Sequence, residues 1–136
     1  MDCIFCKIVA GEIPATVVRS DERTLAFMDI MPRCEGHMLV IPKTPARNVL
    51  DASPTQLAAC MRTVQKMSAA AMKAFGAAGI TIQQFNEQAG GQVVFHLHFH
   101  VLPRSEGVSL GPPASRVEKP EVLAANAEKI KKALPA

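Results

Sequence analysis

The stretch "QVVFHLHFHVLPR", residues 92–104, permits few folds, because two residue classes alternate along it. In an extended strand successive side chains point to opposite faces. Val94, His96, His98, His100 and Leu102 then share one face, and Val93, Phe95, Leu97, Phe99 and Val101 share the other. A helix would scatter both sets around its axis. The apolar row must be buried against a second layer, which leaves a ladder of imidazoles on the opposite side. The chain holds only four histidines, so three on one face is not an effect of composition.

The neighbouring segments supply a sheet and that second layer. "EGHMLVIPK" predicts a strand ending at Pro42, with His37, Leu39 and Ile41 on one face and Met38 and Val40 on the other. Both faces are mostly apolar, so this strand belongs inside the sheet. "TVVRSDERTLAFMDI" predicts two short strands around a polar turn at Ser20 to Arg23. "GITIQQFN" predicts another strand, joined to the histidine strand by the short loop "EQAGGQ" as an antiparallel hairpin. The clearest helix begins at Ser53, a capping residue, with Pro54 in its first turn, and stops at Gly76 or Gly79. Leu57, Met61, Val64, Met67, Ala71 and Phe75 form its core-facing stripe. Residues 105–117 read as a loop or arm, and 120–134 as a helix with Leu123, Ile130 and Leu134 on one side. The order predicts an α+β domain: a mainly antiparallel five-stranded sheet with one long helix and a C-terminal helix. Residues 1–104 carry the motif-bearing part, and residues 105–136 add a C-terminal loop and helix to the same domain.

Composition narrows the partners. With 136 residues, 49% apolar and 20% charged, the chain suits one globular domain and not extended disorder. A net charge of +3 with scattered Lys and Arg gives no reason to expect nucleic acid as partner. No apolar run approaches the ~18 residues of a membrane span. Asp2 and a lysine within the short N-terminal apolar patch make a poor secretory signal, so the expected compartment is the cytoplasm. There Cys3, Cys6, Cys34 and Cys60 are expected as free thiols or metal ligands.

Two chemistries compete for the histidine row. A metal shared by all three is disfavoured, because strand rise separates the Cα atoms of His96 and His100 by about 13 Å while zinc needs each nitrogen within about 2.1 Å. Nucleophilic catalysis suits the row better: a neutral imidazole attacks well at pH 7, and His98, in the middle, has a partner on each side. Attack on phosphorus needs donors for the developing charge. Gly90 and Gly91 allow a close approach of the backbone, and Gln92 brings a side-chain amide. There is no GxxxxGK[ST] or GxGxxG, so P-loop and dinucleotide folds lack support.

His96, His98, His100, Val101 and Leu102 together resemble the motif of the histidine triad family of nucleotide hydrolases and transferases. "IPATVV", "LAFMDI", "GHMLVIPK", "NEQAGGQVVF" and "LPR" resemble family segments in the same order, over roughly residues 3 to 104. The resemblance implies a homodimer with sheets joined across the interface, His98 as nucleophile, His96 orienting it through its carbonyl, and His100 on phosphate oxygens. It assigns His37 as a fourth active-site histidine and Asp29 to the ribose hydroxyls. Phe5, Ile8, Phe27 and Ile30 would form the slot for the base, and Asn86 would lie near ribose and phosphate. Gly91, Gln92 and Val93 line the phosphate side. Many relatives have Ser or Thr at Val93, so this chain lacks one hydroxyl there.

Some bacterial members hold zinc with Cys-x-x-Cys, the first triad histidine, and a histidine whose place here is taken by Pro45. Cys3 and Cys6 therefore form an incomplete site; no cofactor is expected to be required, and structural zinc is the disfavoured alternative. The opening "CIFCKIVAGEIPA" is more similar to the phosphoramidase-type branch, which implies cleavage of purine nucleotide or nucleoside phosphoramidate substrates. The alternatives are a dinucleoside polyphosphate hydrolase, or a purine-nucleotide-binding regulatory module whose hydrolysis is incidental.

Overall fold

In the computed structural model, which describes residues 3–135, the strands β1 (Val17–Ser20), β2 (Thr24–Met28), β3 (Met38–Pro42), β4 (Gly79–Gln83) and β5 (Phe99–Arg104) form one antiparallel sheet in the order β1-β2-β3-β5-β4. Asp21 makes the β1–β2 turn: its Oδ1 accepts from the main-chain N–H groups of Arg23 and Thr24 at 2.9 and 2.8 Å, the usual role of Asp in tight turns. Every residue of β2 and β3 is buried, as expected for strands covered on both faces.

The two faces of β3 divide the molecule. Met38 and Val40 point into the large core, with Val64, Met67 and Ala71. Leu39 and Ile41 point into a smaller cluster with Phe5, Leu25 and Phe27. That second cluster is closed by α1 (Ile4–Val9), a helix too short to leave a periodic trace in the sequence. Cys3 caps it, its Sγ accepting from Cys6 N at 3.1 Å.

The helix α2 (Pro54–Phe75) starts and stops where its sequence says. Ser53 and Gln56 form a reciprocal capping box, and Gly76, at φ 57°, closes the C-terminus. The buried stripe is rotated from the one expected: Cys60 and Thr63 join it, while Met61 is 45% exposed. The buried hydroxyl pair Thr24–Thr63, 2.6 Å apart, fixes that rotation against β2. A last helix, α3 (Pro120–Ala133), puts Leu123, Ala127 and Ile130 into the same large core. Among the described residues, no helix is long and apolar enough to cross a membrane.

The histidine run departs from the expected single strand. β4 and β5 do pair antiparallel, but the connection runs over residues 84–98 and contains a 3-10 turn, Gln88–Gly90. His96 and His98 precede β5 and only His100 lies in it. The β3–β5 ladder reaches Val40 and Phe99; beyond it Pro42 has no N–H to continue. Its carbonyl accepts instead from the His96 ring, and Leu97 N turns to Ala46 O at 2.7 Å. Alternation still holds from His96 onward, with Leu97, Phe99 and Val101 in the large core. Upstream it fails: Val93 is 84% exposed, and Phe95 lies under the Arg47 guanidinium, 4.3 Å from its ring centre.

Candidate active site

Three segments bring the four histidines together. The β2–β3 loop delivers His37 through Gly36, whose φ of 83° suits glycine and where a Cβ would run into the Phe75 ring of α2. His100 comes from β5, paired with Leu39 on one side and Gln83 on the other. His96 and His98 come from the segment before it. The ring centres of His98 and His100, and of His37 and His100, are each 5.1 Å apart. Phe5 of α1 stands edge-on to His96 and His98 at 5.9 and 5.1 Å.

Main-chain groups decide which nitrogen of each ring carries the proton. His98 Nδ1 lies 2.7 Å from the His96 carbonyl, which can only accept, so Nδ1 holds the hydrogen and Nε2 keeps a lone pair. His96 Nε2 donates to the Pro42 carbonyl at 2.9 Å, which leaves its Nδ1 lone pair toward the thiols of Cys3 and Cys6 at 3.2 and 3.4 Å. The N–H of Arg33 donates to His37 Nδ1 at 3.1 Å, so His37 Nε2 carries hydrogen and donates to His100 Nδ1 at 2.9 Å. His100 must then carry its own proton on Nε2. All four assignments follow without an arbitrary choice.

Burial keeps these rings neutral. It pushes His37 down to about 3, helped by the nearby His100, Arg33 and His98. His100 falls to about 4 through burial, His98 and Arg33. His98 is lowered by burial, opposed by its bond to the His96 carbonyl, and His96 is also lowered by burial. Burial in a poorly solvated site disfavours the charged form of an imidazole.

The residues expected to bind nucleotide divide into two groups. Phe5 and Phe27 are buried and meet edge-to-face, centres 5.6 Å apart, with Ile8 partly buried against them. Ile30 is 51% exposed. Asp29 is partly buried, which raises its carboxyl pKa; Oδ1 accepts from Met31 N at 2.8 Å and Oδ2 lies 3.5 Å from His37 Nε2. Gln92 departs from its expected role as a phosphate donor. Its Oε1 accepts from Asn48 and Glu87 N, and its Nε2 donates to the carbonyls of Arg47 and Val94. Two acceptor sites and two donors are thus used inside the protein, so Gln92 braces the loop. Asn86 likewise ties the loop down, accepting from Val49 N at 2.9 Å and exchanging bonds with Gln84. Gly91 takes φ 98°, and a Cβ on it would lie 3.2 Å from the Phe85 ring. Val93 stands outward without a hydroxyl.

Arg33, Asn48 and Phe85 are the residues that sequence reasoning missed. Phe85 stands edge-on to His100, with centres 5.8 Å apart. Asn48, 1% exposed, joins Glu87 and Gln92 across the loop. No periodicity or motif marks any of the three.

Two groups of donors could be read as metal sites. Cys3, Cys6 and His96 converge within 4.8 Å, with the imidazole lone pair already aimed at the sulfurs. No fourth His, Cys, Asp or Glu among the described residues joins them, and Pro45 has no ligating side chain, so a closed four-ligand zinc site does not fit. Asp29, His37 and His100 also gather within 4.8 Å. There the Arg33 N–H puts a proton on His37 Nε2, the atom that would have to ligate.

A family model described as "HIT domain" matches residues 10–107. The chain belongs to the HIT domain family, the histidine triad proteins. A Hit-like protein of Bartonella henselae superposes with a TM-score of 0.94 at 49% identity, covering 98% of this chain and 96% of that one. The adenosine 5'-monophosphoramidase of Schizosaccharomyces pombe is 36% identical over 131 residues, 94% of this chain and 96% of its own length. A zinc-bound histidine triad family protein of Mycobacterium smegmatis has a TM-score of 0.87 at 35% identity, with 98% of this chain and 93% of that one covered.

Proposed function

We propose that this chain is a nucleotide hydrolase of the phosphoramidase type, acting through a nucleotidyl-histidine intermediate on His98. The observation that carries the reading is the His98 tautomer. The His96 carbonyl takes the Nδ1 hydrogen at 2.7 Å, so a neutral, buried ring has its Nε2 lone pair available for attack. Likeness to a relative named as an adenosine 5'-monophosphoramidase over nearly its whole length supports the substrate class.

In the first step His98 Nε2 forms a bond to phosphorus and the bond from phosphorus to the leaving group breaks. The electron pair goes with the amine, carboxylate or phosphate leaving group, an amine taking a proton from solvent as it departs. His100, with hydrogen on Nε2, donates to a phosphoryl oxygen as charge develops. In the second step water oxygen attacks the same phosphorus, the N–P bond breaks, His98 recovers its lone pair and the water proton goes to solvent. The product is a nucleoside 5'-monophosphate. Both steps use side chains of this protein together with water. Phe5, Ile8 and Phe27 supply an apolar wall for a purine, and Asp29 a carboxylate for ribose hydroxyls.

We assign the working form as a cytoplasmic homodimer. β4 lies at one end of the sheet with Ile82 47% exposed, an edge suited to joining a second sheet. The four cysteines carry no bridges, which suits a reducing compartment.

The test is intact mass after brief incubation with an adenosine phosphoramidate. The expected result is a gain of one nucleotidyl group. In His98→Asn the adduct should be absent and turnover should fall by about 10⁴-fold or more, while AMP still binds. Undiminished turnover in that variant would remove His98 as nucleophile. AMP binding by the native protein with neither adduct nor turnover would make it a binding module instead.

A further inference from the structure

Arg33 is a half-buried residue of the β2–β3 loop that the reaction above does not use, yet four directed bonds hold it. Its N–H donates to His37 Nδ1 at 3.1 Å. Its carbonyl accepts from Gly111 N at 2.8 Å, and its Nε donates to Gly111 O at 2.9 Å. Its Nη1 donates to Gln83 Oε1 at 3.3 Å, and Gln83 is the β4 residue paired with His100. Gly111 belongs to the arm between β5 and α3, and that arm is tied again where Glu118 N donates to Ile30 O at 2.8 Å. A Cβ on Gly111 would lie 3.3 Å from the Arg33 carbonyl oxygen, so the approach is close enough to favour glycine.

We propose that Arg33 is a positioning residue for the histidine relay: its main-chain N–H sets the tautomer of His37, and through it that of His100, while its guanidinium locks that N–H in place by clamping the arm at Gly111 to the edge strand at Gln83. The proposal rests on the functional reading above and adds to it the device that orients the proton on His100. Without the Arg33 N–H, His37 could carry its hydrogen on Nδ1. His37 Nε2 would then face His100 Nδ1 as an acceptor, and the hydrogen of His100 would move to Nδ1, away from the phosphoryl group.

The charge of Arg33 acts in the same direction. Among the described residues, the charged and titratable groups facing the His37–His100 pair are Asp29 and Arg33 of the β2–β3 loop and His98 of the segment before β5, while β4 contributes the neutral Gln83 and Cys34 meets His37 through its main-chain carbonyl. Cys34 stays protonated, burial pushing its thiol up to about 11. Arg33 is therefore the permanent cation beside both rings and disfavours a proton on either.

The test compares Arg33→Met, Arg33→Lys and Gly111→Ala by two readouts. The first is imidazole 15N NMR of the ligand-free protein, where His37 Nδ1 should appear without hydrogen. The second is the pH profile of phosphoramidate hydrolysis. Arg33→Met should mix the two His37 tautomers and raise the acid limb of kcat/KM by about half a pH unit or more. It should also lower kcat by about tenfold with AMP affinity within about twofold. Arg33→Lys keeps the charge but not the fork, so the acid limb should stay in place while kcat remains low. Gly111→Ala keeps the guanidinium and should speed hydrogen exchange of the arm and lower kcat in part. An unchanged His37 nitrogen spectrum in folded Arg33→Met would overturn the proposal, as would full recovery of kcat by lysine. If the native protein hydrolyses no phosphoramidate while the spectra change as described, the functional reading fails and the positioning role stands.

Discussion

The two ends of the histidine row are built alike and used differently. At each end a main-chain group fixes one ring nitrogen and so exposes the other: the Pro42 carbonyl for His96, the Arg33 N–H for His37. At the His96 end the exposed atom is a lone pair, and it faces two thiols. At the His37 end it is an N–H, and it faces His100. A carbonyl forces a ring to donate and an amide N–H forces it to accept, so the choice of backbone partner decides what each end can do. The thiol end is suited to holding α1 against the sheet, and the relay end to orienting a proton.

The largest separation should come from His37→Gln. An amide can turn either its oxygen or its nitrogen to His100, so the relay loses its fixed donor, and turnover should fall by about a hundredfold, the lower range of acid–base effects. AMP affinity, measured by calorimetry, should change by less than about threefold. Equal losses of affinity and rate would mean that His37 binds substrate and does not serve the relay.

Gly36→Ala strikes the same end through the fold. A side chain at φ 83° aimed at the Phe75 ring should cost about 2 kcal/mol in urea denaturation. A cost below about half that would show that the turn relaxes and that His37 is not held by it.

Acid should weaken the protein mainly from the relay end. His37 and His100 resist protonation in the folded state, at about 3 and about 4, while in the unfolded chain they titrate near 6.5. The unfolded state therefore binds more protons between these limits. Stability is full above about pH 6.5 and declines as pH falls toward 4, by roughly 1 kcal/mol per pH unit for each group. Thermal unfolding across pH 4–8 reads this directly, and the slope should shrink in His37→Gln.

The smallest effect is expected at the thiol end. Cys3→Ser with Cys6→Ser removes two contacts to the His96 lone pair but leaves the Pro42 and His98 bonds intact. Turnover should stay within about threefold and stability should change by about 1 kcal/mol. A loss comparable to that of His37→Gln would erase the distinction between the ends.

Much of this arrangement is legible in the residues. Ser53, Pro54, Gln56 and Gly76 bound α2 by local bonding alone, and the alternation in "HLHFHV" separates core from site because a pleat has a period of two. Asp21 marks its turn in the same local way. The resemblance carried by the triad pointed to the family, and the family match confirms it.

What the sequence could not supply depends on distant partners. Pro42 ends the ladder and turns its carbonyl to a ring 54 residues away, so the strand begins at Phe99 and not before His96. Gln92 looks like a donor beside two glycines, yet Arg47, Asn48, Glu87 and Val94 use its whole amide. Met61 fits the helical stripe but faces solvent, because the Thr24–Thr63 pair sets the rotation of α2. Composition and period thus determined the class of fold and set three histidines on one face, and the resemblance of the motif pointed to the family and to His37. Which nitrogen of each ring carries a proton was decided by tertiary structure, because hydrogen bonds from remote main-chain groups choose between tautomers that are nearly equal in an isolated side chain.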